Sequence, residues 1–232
     1  MCGIEENEVA RYLVFLLFAI WMLPQIAYAQ TETDKSSKVK FELQGKEYEA
    51  ELPQGFCLPK GERQEFLALY IAAIDEQNST ALTFFDCQFV EKRYILVKTP
   101  RKPSSIPFSK AVFLRFMASY LKSEAGKEAI SEGAGEGARL VDEGTGGTIG
   151  VEISTVGYSA ADEECVYISG PVSASDEHGV DQGFMGSCAT LKSSNQIMIY
   201  TYDYRDEPNS VKELEALART VSLQISPRQA GQ

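Results

Sequence analysis

Cys57, Cys87, Cys165 and Cys188 constrain this chain more than any other feature, because two bridges would fix which distant segments must meet. Whether they are bridged depends on the compartment, and the N-terminal residues bear on that. Tyr12 to Leu23 form an unbroken apolar run, with Arg11 before it and Pro24 after it. The small-x-small triplet Ala27-Tyr28-Ala29 follows. This is the pattern of a cleavable secretory signal peptide over residues 1–29, leaving Gln30 as the first mature residue. The run is shorter than the roughly 20 apolar residues a spanning helix needs, so the expected product is exported and is not an integral membrane protein after cleavage. Glu5, Glu6 and Glu8 make acidic a segment that is ordinarily positive, and translation starting at Val9 would restore the usual opening. No Cys lies at the cleavage point, which disfavours a lipid anchor. Cys2 falls outside the mature chain, and the four remaining cysteines read as disulfides in an oxidising compartment.

Four cysteines allow three pairings. If the chain from Cys165 to Cys188 is an antiparallel hairpin, its midpoint falls between Asp176 and Glu177, within the turn-rich segment Ser175-Asp176-Glu177-His178-Gly179. Cys165 and Cys188 then stand directly opposite each other, at a separation a bridge can span. Cys57 with Cys87 follows by elimination. No Cys-x-x-Cys is present, which argues against thiol redox chemistry and a zinc ribbon.

Alternation of Val39, Phe41 and Leu43, then of Tyr48, Ala50 and Leu52, across Gln44-Gly45-Lys46 predicts a hairpin. Phe66, Leu67, Tyr70, Ile71 and Ile74 repeat at helical spacing, ending near Gln77. Strands are expected over Ala81 to Val90 and Tyr94 to Thr99. Phe113, Phe116, Met117, Tyr120 and Leu121 form the stripe of a second helix laid on a core. Gly126 to Gly147 is glycine-rich and acidic, and reads as flexible loop holding only a short helix. Strands are expected at Ile149 to Gly157, Cys165 to Ser169, Phe184 to Leu191 and Ile197 to Tyr204, the last two joined at Lys192-Ser193-Ser194-Asn195. Ser210-Val211-Lys212-Glu213 is a capping box, opening a helix whose inner face is Val211, Leu214, Leu217, Ala218 and Val221. The whole predicts a single α+β domain over 39–226, an antiparallel sheet with packed helices. A flexible mature N-terminus at 30–38 and a disordered tail at 227–232 flank it. This order of hairpin, helix, strands, long meander and terminal helix, with Tyr48-Glu49-Ala50-Glu51-Leu52-Pro53-Gln54-Gly55-Phe56, resembles the PsbP-like α/β/α fold and secreted bacterial proteins like it. The resemblance implies an accessory or assembly role and no particular chemistry.

The chain carries a formal charge of -11, which argues against nucleic-acid binding. The charge is uneven. Lys92, Arg93, Lys98, Arg101, Lys102, Lys110, Arg115, Lys122 and Lys127 face only Glu91 and Glu124 in their stretch, whereas eleven acids between Ser131 and Ser187 face Arg139 alone. The plain account is two solvated faces. The sharper one has the basic stretch, Lys98, Arg101 and Lys102 included, meeting an anionic envelope surface or an acidic partner. Tyr200, Tyr202 and Tyr204 share a strand face with Met198, either as a ladder packed under a helix or as an exposed platform for a peptide, glycan or lipid.

Catalytic candidates are thin. His178 is the only histidine, no Gly-x-Ser-x-Gly elbow is present, and a solvated turn explains it. Asp176, Glu177, His178 and Asp181 lack the spacing of a calcium loop, and Asp162-Glu163-Glu164 is a second acidic turn. Gly133-Ala134-Gly135-Glu136-Gly137 and Gly144 to Gly147 lack the Lys-Ser/Thr and the preceding strand of a phosphate loop. No catalytic, cofactor-binding or metal residue is therefore assigned, and no cofactor is expected. The sequence reads as a non-enzymatic periplasmic or extracellular domain that binds an envelope protein or surface. An envelope-polymer hydrolase using a carboxylate pair is the alternative.

Overall fold

Two tight hairpins organise the strands. In the computed structural model, which describes residues 38–228 other than 74, 76, 91, 103–105 and 154, β1 (Lys38–Leu43) and β2 (Lys46–Glu51) meet at Gln44 and Gly45. β9 (Gly179–Lys192) and β10 (Asn195–Asp203) meet at Ser193 and Ser194. All four turn residues have positive φ, the two-residue geometry that matches the twist of paired strands. The expected signal peptide with its cleavage triplet, segment 30–37 and residues 229–232 lie outside the described residues.

Between the hairpins come β3 (Phe56–Cys57), α1 (Gly61–Ala73), β4 (Asn78–Asp86), β5 (Arg93–Pro100), α2 (Lys110–Lys122), α3 (Glu124–Gly144), β6 (Gly150–Glu152), β7 (Gly157–Ala161) and β8 (Val166–Asp176). After β10 follow α4 (Val211–Gln224) and β11 (Ser226–Pro227). One antiparallel sheet runs β3-β4-β5-β10-β9-β8-β6, with β7 also on β8, and a smaller one runs β1-β2-β11. The domain is α+β, as its patterning predicts. It extends past residue 226: Pro227 pairs with Tyr48 and the Arg228 amide donates to the Glu47 carbonyl at 3.0 Å, so residues 227 and 228 belong to the domain and not to the expected tail. Lys38 likewise already belongs to β1.

The two faces of the large sheet are covered differently. On one, Ile197, Ile199, Cys188 and Tyr167 pack with Leu43, Tyr48 and Ala50 of the small sheet and with Ala218 and Val221 of α4. The capping box of α4 is formed as expected, its inner residues Leu214, Ala218 and Val221 are buried, and Gly186 lets the helix approach, since a Cβ there would lie 2.7 Å from Leu214 Cβ. On the other face, Phe113, Leu114 and Leu121 of α2 cover Val166 and Leu191.

The glycine-rich stretch corrects the expected loop: it is α3, a helix of 21 residues. Each internal glycine costs a helix roughly 1 kcal/mol, which is why local reading missed it. Offsetting this, the Ser123 side chain caps the start, Arg139 pairs with Glu136 and Glu143 along the exposed face, and Ile130 packs beside α2. Gly126 is required there, because a Cβ would lie 2.0 Å from the Tyr120 carbonyl oxygen where α3 turns off α2.

Both disulfides form, Cys57 with Cys87 and Cys165 with Cys188, with Cα atoms 5.3 and 5.1 Å apart. The hairpin register differs from the expected one. Asp176 pairs with Gly179 and Val166 with Ala189, so the turn is Glu177-His178 and the bridge runs diagonally from Cys165, just before β8. A slip of two residues keeps every side chain on its face, so the pairing survives an error in register. Cys165 and Cys188 are wholly buried, whereas Cys87 is exposed. Mild reductant with alkylation and mass spectrometry should therefore open Cys57–Cys87 first. Replacing Cys165 and Cys188 together by Ala should lower urea-unfolding stability by roughly 3 to 4 kcal/mol.

Candidate binding surface

The stripe expected to bury α2 is split. Phe113, Leu114 and Leu121 are buried and Met117 is half-buried, but Phe116 and Tyr120 lie beyond the arc the sheet can cover. With Phe108 and Val112 they make a row at four-residue spacing, exposed by 61% (Phe108), 40% (Val112), 65% (Phe116) and 40% (Tyr120). The Phe116 and Tyr120 rings are stacked, their centroids 6.5 Å apart. Taking about 200 Å² for a full aromatic side chain, the row exposes roughly 350 Å², the size of the largest patch on ordinary monomers and often a working one. α1 adds to it. Its Phe66 and Leu69 are each 70% exposed, against the expectation that Phe66 would face the core, and none of its described side chains is buried.

Register places both helices over one face. Lys98 pairs with Met198, Met198 with Ala189, and Ala189 with Val166, so these four project from the same side of the sheet. α2 covers Val166 at one end of this row. At the other, Lys98 Nζ lies 2.7 Å from Asp75 just past α1, while the Arg101 guanidinium donates to the carbonyls of Ala72, Asp75 and Asn78. Burial works against ionisation of Asp75, but Lys98 and Asn78 outweigh it and hold the carboxyl below its ordinary value. Lys98 and Arg101 thus fasten α1, and Lys102 is exposed.

Between the helices lie Met198, Tyr200 and Tyr202, all half-buried. Tyr94 stacks on Tyr202 at 4.8 Å, Tyr202 neighbours Tyr200 and Tyr204, and Tyr204 is buried. Burial raises all four phenols, those of Tyr200 and Tyr204 to about 12. The tyrosines form a cross-strand ladder whose Tyr200 and Tyr202 keep an edge to solvent.

The acidic turns divide into a structural one and an open one. Glu164 is 4% exposed and accepts from Lys110 Nζ at 2.5 Å, Lys192 Nζ at 2.7 Å and Ser222 Oγ at 2.5 Å. Asp162 accepts from the amides of Glu164 and Cys165, from the Tyr167 hydroxyl and from Arg219. Asp176, Glu177 and His178 instead line an open hollow of about 640 Å³ with Asp142 and residues 147–150. His178 is 82% exposed in its side chain, and Asp181 pairs with Lys92. Among the described residues no three His, Cys, Asp or Glu side chains converge as a metal site. Among the described residues, the carboxyls moved from their ordinary values are moved downward.

No protein-family model matches this chain, and no curated protein matches it. Among the described residues no helix is long and apolar enough to cross a membrane. The two bridges are those of a protein in an oxidising compartment.

Burial opposes ionisation of Glu164, but its bonds from Lys110, Lys192 and Ser222 prevail and hold it below 4.5. A depressed carboxyl stabilises the fold above its unfolded value, and that contribution is lost as pH falls through the folded one. Glu164→Gln should cost about 3 kcal/mol at neutral pH, because it removes the buried charge with which Lys110 and half-buried Lys192 pair. In urea titrations at several pH values, the gap from the unsubstituted protein should narrow below about pH 4.

Proposed function

We propose that this chain is an exported, non-enzymatic domain of the periplasm or extracellular space that binds a component of the cell envelope through α2. The observation that carries this reading is the exposed row Val112, Phe116 and Tyr120 of α2, with exposed Phe108 just before the helix, on an element whose inner side is already buried. A helix laid on a sheet ordinarily turns a polar face to water, and here aromatic side chains lie outside the stripe that the sheet covers. Stacked aromatic side chains suit such a role, since they offer large contact area with few rotatable bonds. The N-terminal signal supplies the route of export, and the disulfides suit the destination. The resemblance to PsbP-like domains favours an accessory role over catalysis.

Residues 36–232 form one unit with its own core and both disulfides. Immobilised on beads, this unit should retain a component of bacterial envelope fragments that the Val112→Asp, Phe116→Asp double variant does not retain. Both positions are exposed, so circular dichroism and the urea midpoint should be nearly unchanged. Identical retention by both proteins would remove α2 as the binding surface and this function with it.

A further inference from the structure

We infer that the occupant of the α2 row is the surface of an anionic lipid bilayer, with α2 lying in the headgroup plane. This rests on the binding function above and names its partner. The first ground is the charge of the helix. Within a chain of net charge -11, α2 carries Lys110, Arg115 and Lys122 and no acid. Lys110 is held by Glu164, but Arg115 and Lys122 are exposed on the helix, and exposed Lys102 belongs to the loop that leads to it. Lys122 Nζ lies over the Tyr158 ring at 4.9 Å, so Arg115 and Lys102 are the cations least engaged within the fold. Aromatic side chains flanked by cations are the composition of helices that lie in a membrane interface. A folded partner with an apolar groove would need none of these charges.

The second ground is shape. α1 is fastened over the same side of the sheet, and its Phe66 and Leu69 are exposed as Phe116 is. Two separate apolar ridges suit a broad, deformable surface better than a single peptide. Acids bound the contact: Glu62 and Glu65 on α1, and Glu128 and Glu132 on α3, are exposed. They repel the same surface, which makes the contact weak and dependent on salt.

Residues 36–232 should co-sediment with vesicles of phosphatidylcholine and phosphatidylglycerol in equal parts, and not with phosphatidylcholine alone. Phe116→Ser should reduce partitioning about tenfold and Arg115→Gln about fivefold. Leu223→Ser, at an exposed apolar position on α4 across the sheet, should leave it unchanged. Equal binding to both vesicles, or binding indifferent to Phe116→Ser, overturns the inference. If no vesicle is bound while detergent-stripped envelope protein is still captured through α2, the lipid inference falls and the binding function stands. If neither is captured, both fall.

Discussion

The buried carboxylate of Glu164 joins parts of the fold that nothing else brings together. It receives Lys110 from the first turn of α2, Lys192 from the end of β9 and Ser222 from α4. Because α2 and α4 lie on opposite faces of the large sheet, one side chain fixes both layers. The neighbouring residues tighten the same point: Asp162 folds the turn, Arg219 ties it to α4, and Cys165 bridges to Cys188. A charge this buried is tolerable only when fully paired, and here its oxygens are shared among two ammonium groups and a hydroxyl. One consequence reaches the surface. By fixing the first residue of α2, the ion pair helps set the rotation that turns Phe113 and Leu114 inward and leaves Phe116 outside.

The asymmetry of the sheet follows from where the remaining covers go. One face takes both α4 and the small sheet, so Ile197 and Ile199 of β10 have no exposure. The other must be shared by α1 and α2, which stand at opposite ends of a row of strands. With their axes over β4 and the β8–β9 pair, about 17 Å apart at ordinary strand spacing, two helices about 10 Å across leave a gap between them. Tyrosine suits the strip between them: its ring seals the sheet beneath while its hydroxyl can remain near water. Stacking along β10 and across to Tyr94 supplies the cover that a third helix would otherwise give.

Much of this was legible in the sequence because it is written in local chemistry. The turns at Gln44-Gly45 and Ser193-Ser194, the capping box at Ser210 and the alternation of β10 each depend on a few adjacent residues. The disulfide pairing was also legible, since face parity tolerates a slip of two residues in the hairpin. What failed depends on distant partners. Nothing near Gly133 or Gly135 announces a helix, and α3 stands because Ser123 caps it and α2 shelters Ile130. The surface row was hidden for a related reason. Phe116 and Tyr120 have the spacing of core residues, and only the width of the sheet beneath decides that they stay outside. Likewise, Lys98 and Arg101 read as a basic surface, yet they anchor α1, because Asp75 and the carbonyls they meet precede them by more than twenty residues.

That division bears on how α2 can be used. A helix exposing this many aromatic atoms gains stability from whatever covers it, so a fold that leaves it bare must hold it by other means. Here the holding forces all lie on the inner side: Phe113, Leu114 and Leu121 packed on Val166 and Leu191, and Lys110 paired with Glu164. Such fastenings do not depend on the outer face. α2 can therefore meet a partner without unfolding or repacking, and the affinity need not be spent on ordering the site. The acidic α3 beside it has little of its surface buried and makes few contacts beyond α2 and the strands at its end. With cations on α2 and acids along α3, the domain has a built-in orientation. An anionic surface can be approached from the α2 side and is repelled by the other flank.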